Sequence, residues 1–342
     1  MRWFHAFAAL AVLGLFGAAT PRAHSSLEDK AKAEGTVNWY TSVDLALAER
    51  VAHEFQVEFP GVTVQVTRSG SERNFQRIEQ EYQSRIHNVD VVNSSDASHF
   101  IVWGRQGYLA KYLPDDVTKY YPASARDRAG RYATWRTTLM PIAYNTKLVK
   151  TDEAPKSYAD LLQPRWEGKL VKSHPGYSGS TMTATYEIVQ NPALGWKYLE
   201  ALAKQKVVQV QSASEPPKVL ADGEQPVQVD GSEYVLFQRM QDARPIAIVY
   251  PTEGTPSVES PAAVMAFAPH PNAARLFMDY LFAIDCQQLL VNVGGLRSLR
   301  RGIIEPSWHT PLSKIKLMRE NPAAIVTEAD AIKARYTQLF GT

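Results

Sequence analysis

The 342 residues suffice for two ordinary domains, and a hydrophobic share of 45% supplies core for both, which excludes disorder and collagen-like repeats as whole-chain readings. A count of 37 Lys and Arg against 35 Asp and Glu leaves no basic surplus and argues against a nucleic-acid protein. The one cysteine, Cys286, forbids an intrachain disulfide and removes CxxC zinc sites, iron–sulfur clusters and a lipid-bearing Cys near the N-terminus.

Residues 1–25 read as a cleaved secretory signal. Arg2 supplies the positive start, and Ala6 to Ala19 is an apolar run too short to span a bilayer. Pro21 breaks the run, and Ala23 and Ser25 are small enough for cleavage before Ser26. Removing Arg2 and Arg22 with this segment leaves the remaining charges balanced. The expectation is a soluble, exported, unlipidated protein, which places it in the periplasm.

An αβ rhythm follows. Val37 to Tyr40 predicts a strand, and Leu47, Val51, Phe55 and Phe59 predict a helix stopped by Pro60-Gly61. Val62, Val64 and Val66 alternate with polar residues as a strand does. Phe75, Ile78, Tyr82 and Ile86 share a helical face, and Val89 to Val92 is a buried strand. Strands alternating with helices imply crossover units and a parallel sheet. Residues 108–135 read as loops, Thr137 to Tyr144 as an extended segment crossing between lobes, and 150–168 as a helix bracketed by Pro155, Pro164 and Gly168. Helices are expected over Thr183–Gln190 and Leu194–Gln205, and strands over Val207–Val210, Val227–Val229 and Pro245–Tyr250. Ala262 to Ala268 reads as a second crossing. Pro271 opens a helix with Ala274, Phe277, Leu281 and Ile284 in register, and 313–340 is mostly helical.

Ligands of open α/β sheets gather at the carboxyl ends of strands, where helix N-termini point N–H groups outward. Such ends here carry hydroxyls: Thr41-Ser42; Ser69-Gly70-Ser71 between Arg68 and Arg73; Ser94-Ser95-Asp96; and the loop Tyr177-Ser178-Gly179-Ser180-Thr181. Each also suits plain helix capping. Gly176 to Ser180 approaches the G-x-S-x-G elbow of hydrolases, but Ser180 stands where the last Gly belongs and no apolar strand runs into it. The histidines show no zinc spacing; Tyr120-Tyr121 could bind a hard metal but, in a Pro-bounded loop, reads as surface aromatics; and Cys286 reads as an inert core thiol.

Ala143-Tyr144-Asn145-Thr146, then APKSYADLLQPRWEGKL at 154–170 and APHPNAARLFMDYLFAIDCQQLL at 268–290, resemble the extracellular solute-binding proteins of ABC importers, the family that includes ferric-ion-binding proteins. The resemblance implies an α/β, two-lobed type II periplasmic-binding-protein fold with a hinge of two crossing strands and a ligand trapped as the lobes close. Lobe one would span 26–136 and 262–305, lobe two 137–261, with a helical tail at 306–342. The implied role is a non-enzymatic, monomeric receptor that delivers its ligand to a permease and ATPase at the inner membrane, with no nucleic-acid partner. Ligand contacts would come from Thr41, Ser42, Ser71, Arg73 and Ser95 on one wall, and from Ser178, Gly179, Ser180, Thr181 and Tyr234 on the other. Ferric binders of the family use a His, a Glu and an adjacent Tyr pair. Those positions fall on Asp44, Ser95 and Glu233-Tyr234. The hydroxyl-rich loops and Arg73 favour an oxyanion or small organic anion. Fe3+ held by Asp44, Glu233 and Tyr234 is the alternative cargo, and no other cofactor is expected. An exported hydrolase and a sensory binding subunit complete the alternatives.

Overall fold

A computed structural model describes residues 26–341, so the expected signal segment lies outside the described residues. Helix α1 (Ser26–Glu34) leads into β1 (Thr36–Thr41). Helix α2 (Leu45–Glu58) buries Leu47, Val51 and Phe55 on one stripe and stops ahead of Gly61, whose φ of +102° suits glycine. Strand β2 (Thr63–Arg68) pairs in parallel with β1 from Thr36↔Thr63 onward. There follow α3 (Ser71–Gln83), β3 (Val91–Asn93), α4 (Ala97–Gln106), the short α5 (Asp115–Tyr120) and β4 (Ala133–Leu139). The chain then crosses at Met140-Pro141 into β5 (Ile142–Asn145) of a second sheet.

The second lobe adds β6 (Leu170–Ser173), α6 (Gly179–Gln190), α7 (Gly195–Ala203), β7 (Val208–Val210), α8 (Glu215–Asp222), β8 (Val227–Asp230), α9 (Glu233–Gln241) and β9 (Ile246–Val249). Strand β10 (Ser257–Val264) returns to the first sheet. Helices α10 (Pro271–Phe282) and α11 (Ile284–Asn292) pack there, and α12 (Pro322–Phe340) closes the chain. The strand orders are β2-β1-β3-β10-β4 and β7-β6-β8-β5-β9. Each sheet has its own core. The first is built on Trp39, Phe55, Trp135 and Phe277, with Trp39 and Trp135 edge to face at 5.6 Å; the second is built on Ile142, Tyr158, Leu161, Leu170 and Leu199. Antiparallel β4 and β10 are the two crossing strands, and their register shifts between Ser260 and Pro261.

Some elements depart from expectation for local reasons. The 150–168 stretch forms only 3-10 turns at Ala159–Leu162 and Pro164–Trp166, because Pro155 and Pro164 deny the backbone donors an α-helix needs. Helix α3 ends at Gln83, and the chain turns at Arg85 (φ +58°), so Ile86 lies outside the stripe and is exposed. Ile284 likewise leaves the α10 register, since Ala283 is extended between the two helices. Sheet pairing puts the return strand at Ser257–Val264, ahead of the expected Ala262–Ala268. The α10 start is a structural joint: Glu34 accepts from the backbone N–H of Asn272 (2.9 Å) and Ala273 (2.7 Å), anchoring α1 on the helix N-terminus.

Candidate functional site

Helices α2, α3 and α4 of the first lobe and α6, α8 and α9 of the second aim their N-termini at one cleft. Its walls close on a cavity of only about 20 Å³, within a cleft whose empty space, open mouth included, is about 360 Å³. The lining is Ser42, Arg68, Gly70, Ser71, Ser95 and Arg136 from one side, and Tyr177, Ser178, Ser180, Ser212, Ala213, Ser214, Ser232 and Tyr234 from the other. Backbone N–H groups and hydroxyls dominate, two guanidinium groups face in, and no carboxylate is among the lining residues.

The lobes are in contact. Ser71 Oγ accepts from Gly179 N at 2.6 Å, and Ser95 Oγ donates to Ser71 Oγ at 3.2 Å. Arg68 reaches Ser212 Oγ at 3.4 Å, Arg73 donates to Gln211 Oε1 at 2.6 Å, and Lys218 Nζ lies 3.2 Å from Asp44 Oδ2. Two glycines permit this approach. A Cβ at Gly70 would sit 2.9 Å from Tyr177 O, and one at Gly179 would sit 2.7 Å from both Asp96 Cβ and Ser71 Oγ.

Arg136 is the electrostatic centre of the cavity. It projects from β4, is 2% exposed, and has no ion-pair partner among the described residues. Its Nε makes no hydrogen bond; its guanidinium lies 5.9 Å from the Tyr234 ring centroid. Burial pushes it down to about 10, which leaves it charged at neutral pH. Ser42 Oγ is also buried without a partner. A buried cation beside an idle hydroxyl costs free energy that an anionic guest would offset.

The expected ligand residues divide by position. Ser42, Ser71, Ser95, Ser178, Ser180 and Tyr234 line the cavity. Thr41 stands behind it, bonded to Asn93 Oδ1 and Val43 N. Gly179 makes the lobe contact, and Thr181 is bonded to Ser173. Arg73 is exposed at the rim. Arg136, Ser212, Ser214 and Ser232 were missed by the sequence reading. The signal for Arg136 was a lone charge inside 133–139, a segment of apolar residues and threonines, and for Ser212 and Ser214 a hydroxyl pair ahead of Glu215-Pro216-Pro217, where prolines open a helix.

Of the residues matched to ferric donors, Ser95 and Tyr234 line the cavity, while Glu233 and Asp44 are committed elsewhere. Both Glu233 oxygens accept from Arg297, at 2.8 and 2.9 Å, and Tyr250 Oη donates to Glu233 at 2.7 Å. Asp44 caps α2 and pairs with Lys218. Tyr234 Oη accepts from Asp44 N at 3.2 Å, and burial pushes its phenol up, away from the phenolate that Fe3+ wants.

Over residues 90–300 the sequence matches the family described as bacterial extracellular solute-binding protein. An uncharacterized protein of Haemophilus influenzae is 24% identical over 272 residues, 77% of this chain and 78% of that one. The periplasmic binding protein AfuA from Actinobacillus pleuropneumoniae, solved with fructose-6-phosphate bound, superposes with a TM-score of 0.81 at 20% identity, covering 90% of this chain and 99% of that one. Iron-bound HitA from Pseudomonas aeruginosa superposes with a TM-score of 0.75 at 19% identity, covering 88% and 99%. At these identities the likeness establishes the fold: α/β, in the two-lobed manner of type II periplasmic binding proteins.

Proposed function

The chain belongs to the bacterial extracellular solute-binding proteins, and from that premise we propose that it traps a small oxyanion or organic anion between its lobes in the periplasm and delivers it to the permease and ATPase of an ABC importer. The observation that carries the anion is Arg136, a buried guanidinium without a carboxylate, facing a cavity lined by hydroxyls and helix N-termini. An unpaired buried charge costs several kcal/mol, so the site is built for a guest that supplies the missing negative charge. Arg68 adds a second cation on the same side. Ser71, Ser95, Ser178 and Ser180 offer hydroxyls that both donate and accept, matching oxygen-rich groups such as phosphoryl or carboxylate. AfuA, of similar fold, is described with a sugar phosphate, which fits this chemistry. Against ferric ion stand the committed Glu233 and Asp44, which leave Tyr234 as the remaining matched donor. Binding needs no bond made or broken; the differential contacts of the closed form are what a transport partner would read.

The test is a thermal-shift panel on the mature protein with phosphate esters, phosphonates, small carboxylates and ferric citrate. A ligand that binds only the folded state raises the midpoint by mass action. An increase with one anion class supports the reading. An increase with ferric ion alone, with a phenolate charge-transfer band, overturns it.

A further inference from the structure

Outside the cavity, a second polar contact joins the lobes. The apolar face of α12 is built into lobe two: Ile325 and Ile332 pack with Met182 and Tyr186 of α6, and Tyr336 is fully buried. Arg335 pairs with Glu200 of α7 at 2.8 Å, and Tyr336 Oη donates to Gln209 at 2.9 Å. One turn of the same helix crosses to lobe one, where Lys333 Nζ lies 2.7 Å from Glu72 Oε2. Helix α12 also packs against α4 of that lobe at least as extensively as against α6, so it bridges the two lobes.

Glu72 is buried in the first turn of α3, directly after Ser71, the residue that accepts from Gly179 in the cleft. Behind it, His99 Nε2 lies 3.3 Å from Glu72 Oε1 and 3.8 Å from Asp96 Oδ2, while Ser94 Oγ holds His99 Nδ1 at 2.9 Å. Phe75 stacks on the His99 ring at 4.4 Å and walls the group in. Burial pushes the Glu72 carboxyl up, and the His99 and Lys333 charges more than reverse this, holding it down to about 2. Glu72 is therefore a buried carboxylate one of whose cationic partners arrives from the opposite lobe. Parting the lobes removes that partner: Lys333 is 24% exposed while Glu72 is buried, so the carboxylate is the member that loses most when the pair breaks.

We propose that Lys333 is a positioning residue for ligand capture: it latches lobe two onto the first turn of α3, holds Ser71 against Gly179, and biases the empty protein toward the closed form. The inference rests on the closing of two lobes, not on which guest they hold, so its test uses no ligand. Spin labels at exposed Gln76 on α3 and exposed Lys204 after α7 report the distance between lobes in the full-length mature chain. Lys333→Met is expected to raise the open fraction about tenfold or more, and Lys333→Arg, which keeps the charge, to retain the wild-type distribution. Glu72→Gln attacks the pair from lobe one and should open the protein to a similar degree. The double variant should open no further than either single one, since all three break the same interaction. Wild-type distances in both neutral variants, additive opening in the double, or opening by the arginine variant as large as by methionine would each overturn the proposal.

Discussion

At the scale of single residues, Arg136 makes a prediction that separates binding from folding. Its charge is buried without compensation in the empty protein, so Arg136→Met removes an unfavourable group from the fold and a necessary one from the site. Affinity for whichever anion the thermal-shift panel identifies should fall about 10- to 100-fold, the worth of charge-assisted hydrogen bonds. The ligand-free melting temperature should hold or rise. A variant that keeps its affinity but melts well below wild type would show that Arg136 serves packing. Why this residue was missed is physical: β4 reads as Ala133 to Leu139 with apolar and Thr neighbours, and a strand buried on both faces gives no alternation to say where one charge points. The serines were legible because hydroxyls before helices are overt. Which of them face a cavity, as Ser178 does, and which merely fasten a turn, as Thr41 does, depends on the partner lobe and is invisible in one-dimensional spacing.

At the scale of elements, the first turn of α3 links acid stability to the lobe contact. Glu72 faces Lys333 from α12, His99 from α4 and, through His99, Asp96. Its folded value of about 2 lies below its ordinary value of 4.5, so its stabilising contribution is complete above 4.5 and is lost as pH falls toward 2. Thermal melts across that interval should show a steeper loss for the wild type than for Glu72→Gln, and equal slopes would show that the carboxylate is not the source. Elements with strong periodicity were legible: α2 and β2 stand close to where their patterns place them. The failures follow from backbone chemistry that hydropathy does not carry. Ala283 interrupts an apolar run that reads as one helix, and paired prolines start α8, a helix that the hydrophobic pattern does not announce.

At the scale of the whole molecule, closure depends on the bare backbone of a glycine meeting side chains of the opposite lobe. Gly179 lies where α6 meets α3, and any Cβ there collides with Asp96 and Ser71. Gly179→Ala should therefore hold the lobes apart. Small-angle scattering should give a larger radius of gyration than wild type with anion present, and affinity should fall about tenfold or more. An unchanged scattering profile would mean that the loop before α6 absorbs the methyl group. The two-lobed plan was legible because the αβ rhythm breaks and resumes around an extended crossing segment, and the motifs at 154–170 and 268–290 carried the family likeness. The depth of closure was not, because it is fixed by contacts between residues such as Ser71 and Gly179 that lie far apart in the chain.

The crossing strands have one more implication. Arg136 is paired in register with Ser260, at the step where the β4–β10 ladder slips before Pro261. On the reading proposed above, the charge that would anchor the guest stands on one of the two crossing strands. A guest gripped there has almost no lever arm, so its charged end does little to swing the lobes. The torque must come from whatever the rest of the guest touches near the rim, around Arg73 and Gln211. Anchorage and angle of closing are mechanically separable in such a molecule: guests with the same charged end and different bodies would be held alike and yet present the transport partner with different silhouettes.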